Sequence, residues 1–461
     1  MIFTDYYLEC LSHASYLVGD ESTGRAVVVD PQRDISGYLQ EAEARGLHIE
    51  RVIETHVHAD FLSGHLELAA ATGAVVSYGE NARVDFPIEP LAHGQRLILG
   101  EVELEIRSTP GHTPESISVV VHEHAGDEVP YGVLTGDTLF VGDVGRPDLL
   151  AAIGVGPEDL ARQLYRSLHG QILTLPDATR VFPAHGAGSA CGKNLSTETR
   201  STIGEQRRTN YALQPMTEDD FVAIVTEGQP LAPLYFSFDA QRNRQLRPLL
   251  TEDEAPPALS LDEVLALQAD GAVVVDTREP LDFWAGHLRG SVNVGLQGRF
   301  AEYAGDVLAP HDAIVLVGDP GTDLEAKVRL GRIGFDRVVG RLDEPVRAFL
   351  DRPDLVERSS RLTVAELEAR LRDTPGLVLL DVRNPGEFAL GDIPGSRRLP
   401  LPALTRGLDS LDPGRPVAVY CATGYRSSIA ASVLAARGFG DVSDVVGGYE
   451  AWLAMAAPAT A

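Results

Sequence analysis

The chain has 461 residues, 44% hydrophobic and 23% charged, with a formal net charge of −28. That length exceeds one ordinary hydrophobic core, so two to four domains are expected. The acidic balance excludes a nucleic-acid or anionic-membrane partner, since either needs a basic footprint, and small anionic substrates must be met by local arginines.

The opening MIFTDYYLECLSH lacks a basic segment followed by an apolar run, and no apolar stretch reaches the roughly 18 residues of a membrane span. A cytoplasmic protein is the expectation. Three cysteines, Cys10, Cys191 and Cys421, are odd in number and far apart, which fits a reducing compartment rather than a disulfide framework.

Up to about residue 245, β-rich runs (AVVVD, RVIETH, AVVSY, LILGEVELEIRST, SISVVVH, YGVLTG, RVFPAH) alternate with the helical patterns SGYLQEAEARG and DLARQLYRSLHG. The mixture predicts α/β layers. RPLLTEDEAPPALS, residues 247–260, is acidic and proline-bearing and reads as a linker.

Beyond it the chain repeats itself. AVVVDTREPLDFWAGHLRGSVNV (272–294) parallels LVLLDVRNPGEFALGDIPGSRRL (377–399), and RIGFDRVVG parallels ARGFGDVSDVVG. Asp276 to Gly334 spans 58 positions and Asp381 to Gly438 spans 57, so two copies of one domain of about 100 residues follow each other. Each opens with a helix (LSLDEVLALQA; RLTVAELEARLR) and an apolar strand, a βαβ pattern that predicts a parallel sheet.

Alternate residues of an extended segment face one side, so His56, His58 and Asp60 in THVHADFLSGH aim into one cavity as the strand RVIET ends. His112 in TPGHTPES, Asp137 in VLTGDTLF and His185 in VFPAHG each follow an apolar β run beside Gly, Pro or Thr. Imidazoles and carboxylates recurring at strand ends point to a metal site. His13, His48, His65, His93, His122, His124 and His169 are assigned to packing or surface.

This constellation resembles the metallo-β-lactamase superfamily, an αββα sandwich carrying His-x-His-x-Asp-His, a later His, a bridging Asp and a last His. Phe61 stands where that motif has its third histidine. A second hydrolytic zinc would lose a ligand there, so the expectation is one ion. FVGDVGRPDL (140–149) is similar to the loop after the metal aspartate in the mononuclear persulfide dioxygenases. That resemblance implies one Fe(II) per chain on His56, His112 and Asp137, with open positions for O2 and a substrate sulfur. It places His58, Asp60 and His185 behind them as groups that orient ligands or bound water, although residue types alone leave His58 open as a ligand. Arg146 is the candidate for a substrate carboxylate, with a structural ion pair as the other reading.

PVAVYCATGYRSSIAASVLAARG (416–438) reads as strand, tight loop and helix, so Cys421 sits at a strand end facing a helix N-terminus, where loop amides favour a thiolate and Arg426 adds positive charge. The loop Cys421–Arg426 and the upstream DVRNPGEFALGDIPGS resemble the rhodanese family, which implies a cysteine persulfide that passes sulfane sulfur to an acceptor. The first copy offers Val317 or Gly318 at that position, so it cannot carry sulfur, and Asp319 and Asp323 would repel anions there. Cys191, six residues after His185 in a glycine-rich loop, is a candidate sulfur relay or substrate acceptor, with Lys193 expected to favour its thiolate and a small-residue packing role as the other reading.

The expected architecture is therefore α/β multidomain: an αββα dioxygenase domain over 1–245, an inactive rhodanese-like domain over 259–352 and an active rhodanese domain over 361–461. The expected reaction oxidises a low-molecular-weight thiol persulfide with O2 to sulfite and transfers sulfane sulfur through Cys421 to give thiosulfate. The alternative is a zinc thioesterase of glyoxalase II type with a rhodanese tail, which Phe61 disfavours. A homo-oligomer is expected from base rates for large multidomain chains.

Overall fold

Residues 1–149, 154 and 156–456 are described by the structure, a computed structural model. Contacts divide the chain into two units, one of Met1–Ala232, Phe236–Glu252 and Arg332–Gly334, the other of Pro233–Tyr235, Asp253–Gly331 and Phe335–Ala461.

In the first unit, strands β1 (Ile2–Leu8), β2 (His13–Asp20), β3 (Arg25–Val29), β4 (His48–Ile53), β5 (Val75–Gly79) and β6 (Glu89–Leu91) form one sheet in chain order. Strands β7 (Arg96–Leu99), β8 (Val102–Ser108), β9 (Ile117–His122), β10 (Gly132–Gly136), β11 (Arg180–Pro183) and β12 (Ser201–Thr202) form the second, also in order. Both begin as antiparallel meanders. The first turns parallel from β3 to β6 and the second at β10–β11.

Period-2 alternation explains the layering. Tyr16, Val18, Val27, Val29 and Ile53 meet Leu104, Ile106, Val119, Val121 and Leu134 between the sheets. The intervening Leu17, Val28 and Val52 pack outward under the helix Ser36–Arg45, and Val120, Val133 and Val181 pack under Pro157–Ser167 and Glu218–Thr226. The result is the expected αββα sandwich. Strands buried on both faces read as continuous apolar runs, which is why the sequence shows AVVV and ISVVV there.

The second unit holds two sheets of one topology. Strands β13 (Ala258–Leu259), β14 (Val273–Asp276), β15 (His287–Leu288), β16 (Val292–Asn293), β17 (Ile314–Val317) and β18 (Val338–Leu342) precede β19 (Val356–Glu357) and the second repeat's β20 (Ser360–Leu362), β21 (Val378–Asp381), β22 (Arg397–Arg398), β23 (Val417–Tyr420) and β24 (Val442–Val445). The sheet orders are β13-β18-β17-β14-β16 and β20-β24-β23-β21-β22, all parallel, while β15 pairs only with β19. Each repeat's first helix starts with the same reciprocal cap, Ser260 with Glu263 and Thr363 with Glu366.

The register settles where the thiol is missing. Asp276 pairs with Val317 and Asp381 with Tyr420, so Gly318 occupies the place of Cys421. Each repeat also buries an identical pair at its strand end, Arg278 on Asp276 and Arg383 on Asp381. Among the described residues, no helix is long and apolar enough to cross a membrane.

Candidate functional site

His56, His58 and Asp60 leave the end of β4, His112 follows β8, Asp137 follows β10 and His185 follows β11. The sheets are joined there by a bridge between His13 and His185, with Ala14 N–H donating to the Ala184 carbonyl at 2.7 Å. The expected metal residues thus converge on one buried cavity. Its close packing is visible at Gly145 of the FVGDVGRPDL loop, where a β-carbon would lie 1.9 Å from the Asp137 carbonyl oxygen.

Hydrogen bonding fixes which nitrogen of each ring is free. The Thr55 hydroxyl donates its only proton to Asp30 Oδ2 at 2.8 Å, so His56 Nδ1, 3.0 Å from the Thr55 hydroxyl oxygen, must donate to it, leaving Nε2 bare. His112 Nδ1 donates to the Arg146 carbonyl at 2.9 Å and His185 Nδ1 to that of Ser12 at 3.1 Å, again freeing Nε2. His58 is reversed: its Nε2 faces Asp30 Oδ1 at 3.1 Å and Glu54 Oε2 at 3.2 Å, so Nδ1 is left for the cavity.

Among the described residues His56 Nε2, His58 Nδ1 and His185 Nε2, and both carboxylate oxygens of Asp60 and of Asp137, are buried without a hydrogen-bond partner. Orphaned acceptors of this kind are costly unless a cation takes them. His56, His112 and Asp137 offer donor atoms within 4.8 Å of one another, as do His58, Asp60 and His185. Asp137 is central, with Oδ2 at 3.4 Å from His112 Nε2 and 3.9 Å from His56 Nε2, and Oδ1 at 3.5 Å from His185 Nε2. Donors on a cation with bonds of about 2.1 Å lie about 3 to 3.5 Å apart, so the donor set fits a metal.

The electrostatics agree. Burial holds His56, His112 and His185 below the ordinary imidazole value, His112 at about 4, and pushes Asp60 and Asp137 up to about 6. Burial opposes charge on His58 too, but the Asp30 and Glu54 carboxylates outweigh it and raise its pKa. Phe61, 1% exposed, lies with its ring centroid 4.0 Å from His13 and 4.5 Å from His58, filling the wall with hydrocarbon.

Two expectations are corrected. Arg146 is not available to a substrate: its guanidinium is buried in a two-pronged pair with Asp148 at 2.7 and 2.8 Å and donates to the Ala190 carbonyl at 3.0 Å. Its contribution is its own backbone carbonyl, which orients His112. Cys191 does lie within ligand reach of Asp137 and His185, but it is not a favoured thiolate. Burial, Asp60 and Asp137 push its thiol well up, and Lys193 turns away to donate to the carbonyls of Ile224 and Glu227 at 2.5 and 3.0 Å.

Sequence reasoning missed the residues that hold the loop. Asn243 donates to the carbonyls of His58 and Phe61 at 2.9 and 2.7 Å and accepts from Ser63 N–H at 3.0 Å, and no motif marks it. Asp30 was signalled only by closing the run AVVVD. Glu54, bound by Ser63 and 3.4 Å from His65, places His65 beside the cavity's supporting groups. His13, assigned to packing, has both ring nitrogens buried and without a hydrogen-bond partner on the cavity side of Phe61.

In the second unit Cys421 follows β23 and faces the helix Tyr425–Ala436. Gly424, at φ 112°, turns the chain so that its N–H donates to Cys421 Sγ at 3.1 Å, and the Ser427 hydroxyl lies 3.6 Å from the same sulfur. Arg426 is closer to neutral company than expected, since Glu387 takes both prongs of its guanidinium at 2.6 and 2.8 Å. Cys421 is 1% exposed, held between the loop and a tight approach of Gly448.

A family model described as the metallo-beta-lactamase superfamily matches residues 8–185, and one described as a rhodanese-like domain matches 260–351 and 363–455. The persulfide dioxygenase ETHE1, mitochondrial, of Bos taurus is 30% identical over 237 residues, 50% of this chain and 82% of that protein. A hydroxyacylglutathione hydrolase of Methylococcus capsulatus is 31% identical over 238 residues, again 50% of this chain and 82% of that protein. Among solved structures, a metallo-beta-lactamase from Staphylococcus aureus subsp. aureus COL has a TM-score of 0.67 at 34% identity, covering 74% of this chain and 98% of that one.

Proposed function

This chain belongs to the metallo-β-lactamase superfamily, with persulfide dioxygenases among its homologues and two rhodanese-like domains behind them, and we propose on that premise that it oxidises a low-molecular-weight thiol persulfide to sulfite and converts sulfite to thiosulfate. The observation that carries the reading is the set of bare, tautomer-fixed nitrogens around Asp137 beside a wall that Phe61 makes apolar.

His56, His112 and Asp137 would hold one Fe(II), leaving its other positions open to gas and sulfur. Iron bound there supplies the redox change that O2 chemistry needs and that zinc lacks. The remaining work falls to the chain. Thr55 and the Arg146 carbonyl keep the two ligand rings in the coordinating tautomer, and Asp30 with Glu54 holds His58 so that Nδ1 faces the substrate side. Asp60 and His185, 3.2 Å apart, would bind and orient the water consumed. The balance is RSSH + O2 + H2O to RSH, sulfite and two protons.

At the second centre the Cys421 thiolate attacks the outer sulfur of another persulfide. An S–S bond forms to Cys421 as the S–S bond to the carrier breaks, and the proton leaves with RSH. Sulfite then takes the outer sulfur, giving thiosulfate and regenerating the thiolate. The Gly424 amide and the helix N-terminus support the negative sulfur throughout. Cys191 at the cavity wall remains the candidate relay, entering as a thiol.

Oxygen uptake on adding glutathione persulfide to the iron-loaded chain tests the first reaction; silence, with zinc restoring S-lactoylglutathione hydrolysis, would replace it by the thioesterase reading. That second reading draws on the hydrolase relative and on the donor triad His58, Asp60 and His185. Phe61 speaks against it. For the second centre, Cys421→Ser should abolish thiosulfate while sulfite accumulates and oxygen uptake persists.

A further inference from the structure

The thiol-free repeat keeps a complete fold but no sulfur chemistry, and its surroundings say what it does for its neighbour. Tyr425, the fifth residue of the cysteine loop and first of the helix Tyr425–Ala436, reaches out of its own repeat. Its hydroxyl lies 2.5 Å from the carbonyl oxygen of Gly295 and 3.1 Å from that of Gln297, sharing its one proton between them, both in the loop after β16 of the first repeat. The ring lies edge-on to Tyr303 with centroids 5.3 Å apart, and Gly295 packs beside it, a β-carbon there standing at contact distance, 3.4 Å, from the ring. Burial raises the Tyr425 phenol, so the donor proton is retained at any physiological pH.

The same helix is gripped a second time. Asn293 N–H donates to the Ser432 hydroxyl at 2.9 Å, and Ser432, seven positions after Tyr425, lies on the same helix face. Two contacts two turns apart fix the rotation of the helix about its axis. That rotation decides where its N-terminal amides point, and the Gly424 amide points at Cys421 Sγ. A cavity of about 410 Å³ opens on this seam, lined by Gln297 and Gly298 of the first repeat and by Thr423, Gly424 and Tyr425 of the second.

We propose that Tyr425 is a positioning residue for sulfur transfer, clamped by the Gly295 and Gln297 carbonyls, and that the thiol-free repeat thereby forms the outer half of its neighbour's sulfur site. The proposal rests on the reading that Cys421 transfers sulfur. It differs from a packing role in that the hydroxyl, not the ring, carries it.

Tyr425→Phe in the full chain keeps the ring against Tyr303 and removes only the clamp. The expected result is faster amide hydrogen exchange at residues 421–426, a fall in kcat for sulfur transfer to sulfite of about fivefold, the scale of one lost hydrogen bond, an unchanged KM for the donor and a pH–rate profile displaced to higher pH. Unchanged exchange overturns the clamp. Faster exchange with wild-type turnover and pH profile overturns the positioning role. A wild-type chain without any sulfur transfer removes the functional reading instead, and exchange in Tyr425→Phe still decides the clamp.

Discussion

Asp30 holds Thr55 by both carboxylate oxygens, Oδ1 accepting the backbone N–H at 2.7 Å and Oδ2 the side-chain hydroxyl at 2.8 Å. Because that hydroxyl proton is committed, Thr55 can only accept from His56, and the metal-facing nitrogen stays bare. Asp30→Asn can reverse the arrangement by offering an N–H where an acceptor is needed. Iron affinity is expected to fall about 10- to 100-fold, the usual cost of losing an outer partner of a metal histidine, read by competition with a chelator. Glu54→Gln acts on His58, Ser63 and His65, leaving one acceptor oxygen where all three approach. It should lower oxygen uptake about tenfold while the iron content stays at wild type.

Phe61 follows Asp60 directly, and its ring packs against His13 and His58 with centroids 4.0 and 4.5 Å apart. Phe61→His would add an imidazole to the triad His58, Asp60 and His185. The expected outcome is a rise from one to two bound ions per chain when zinc is supplied, measured by metal analysis, together with loss of oxygen uptake. Retention of a single ion would show that the site excludes the second metal by shape rather than by the missing ligand.

How much of this was legible beforehand depends on the range of the interaction. His56, His58, Asp60, His112, Asp137 and His185 stood out because each follows its own apolar strand, a local pattern. Asn243 did not, because it acts on His58 and Phe61 from 185 and 182 positions away and carries no motif of its own. Charges were readable as charges but not as pairs: Arg146 was open between a substrate carboxylate and a structural ion pair, Lys193 was expected to favour the Cys191 thiolate, and each has its partner elsewhere in the fold. The repeat was plain from spacing, yet the position equivalent to Cys421 stayed open between Val317 and Gly318 until strand register fixed it. His13 was passed over because a lone histidine at a strand start carries no signal; the bridge to His185 is what brings it to the cavity.

The corrected role of Arg146 has a measurable consequence. Its guanidinium ties Asp148 and the Ala190 carbonyl together, one residue from Cys191. Arg146→Ala should cost about 2 kcal/mol, within the range for charged hydrogen bonds, and lower the unfolding temperature of the first unit by a few degrees. KM for the persulfide should change less than twofold. A large rise in KM with unchanged melting would instead restore the guanidinium as a substrate contact.

Acid should release the metal. Burial holds the Asp137 carboxyl at about 6 without a cation, so below that pH a proton competes for the oxygens the cation needs. That carboxylate then costs up to about tenfold in apparent affinity per pH unit, and equilibrium dialysis at pH 7.5 and pH 5 should show iron kept at the first and lost at the second. Unfolding is the wrong readout, because two linkages oppose. Raised carboxyl groups stabilise the metal-free fold as pH falls through about 6, since the unfolded chain takes up those protons only at lower pH. The buried neutral rings of His56, His112 and His185 destabilise it over the same range, since the unfolded chain protonates them near 6.5 while the fold does not. Iron retained undiminished at pH 5 would mean that Asp137 is not among its ligands.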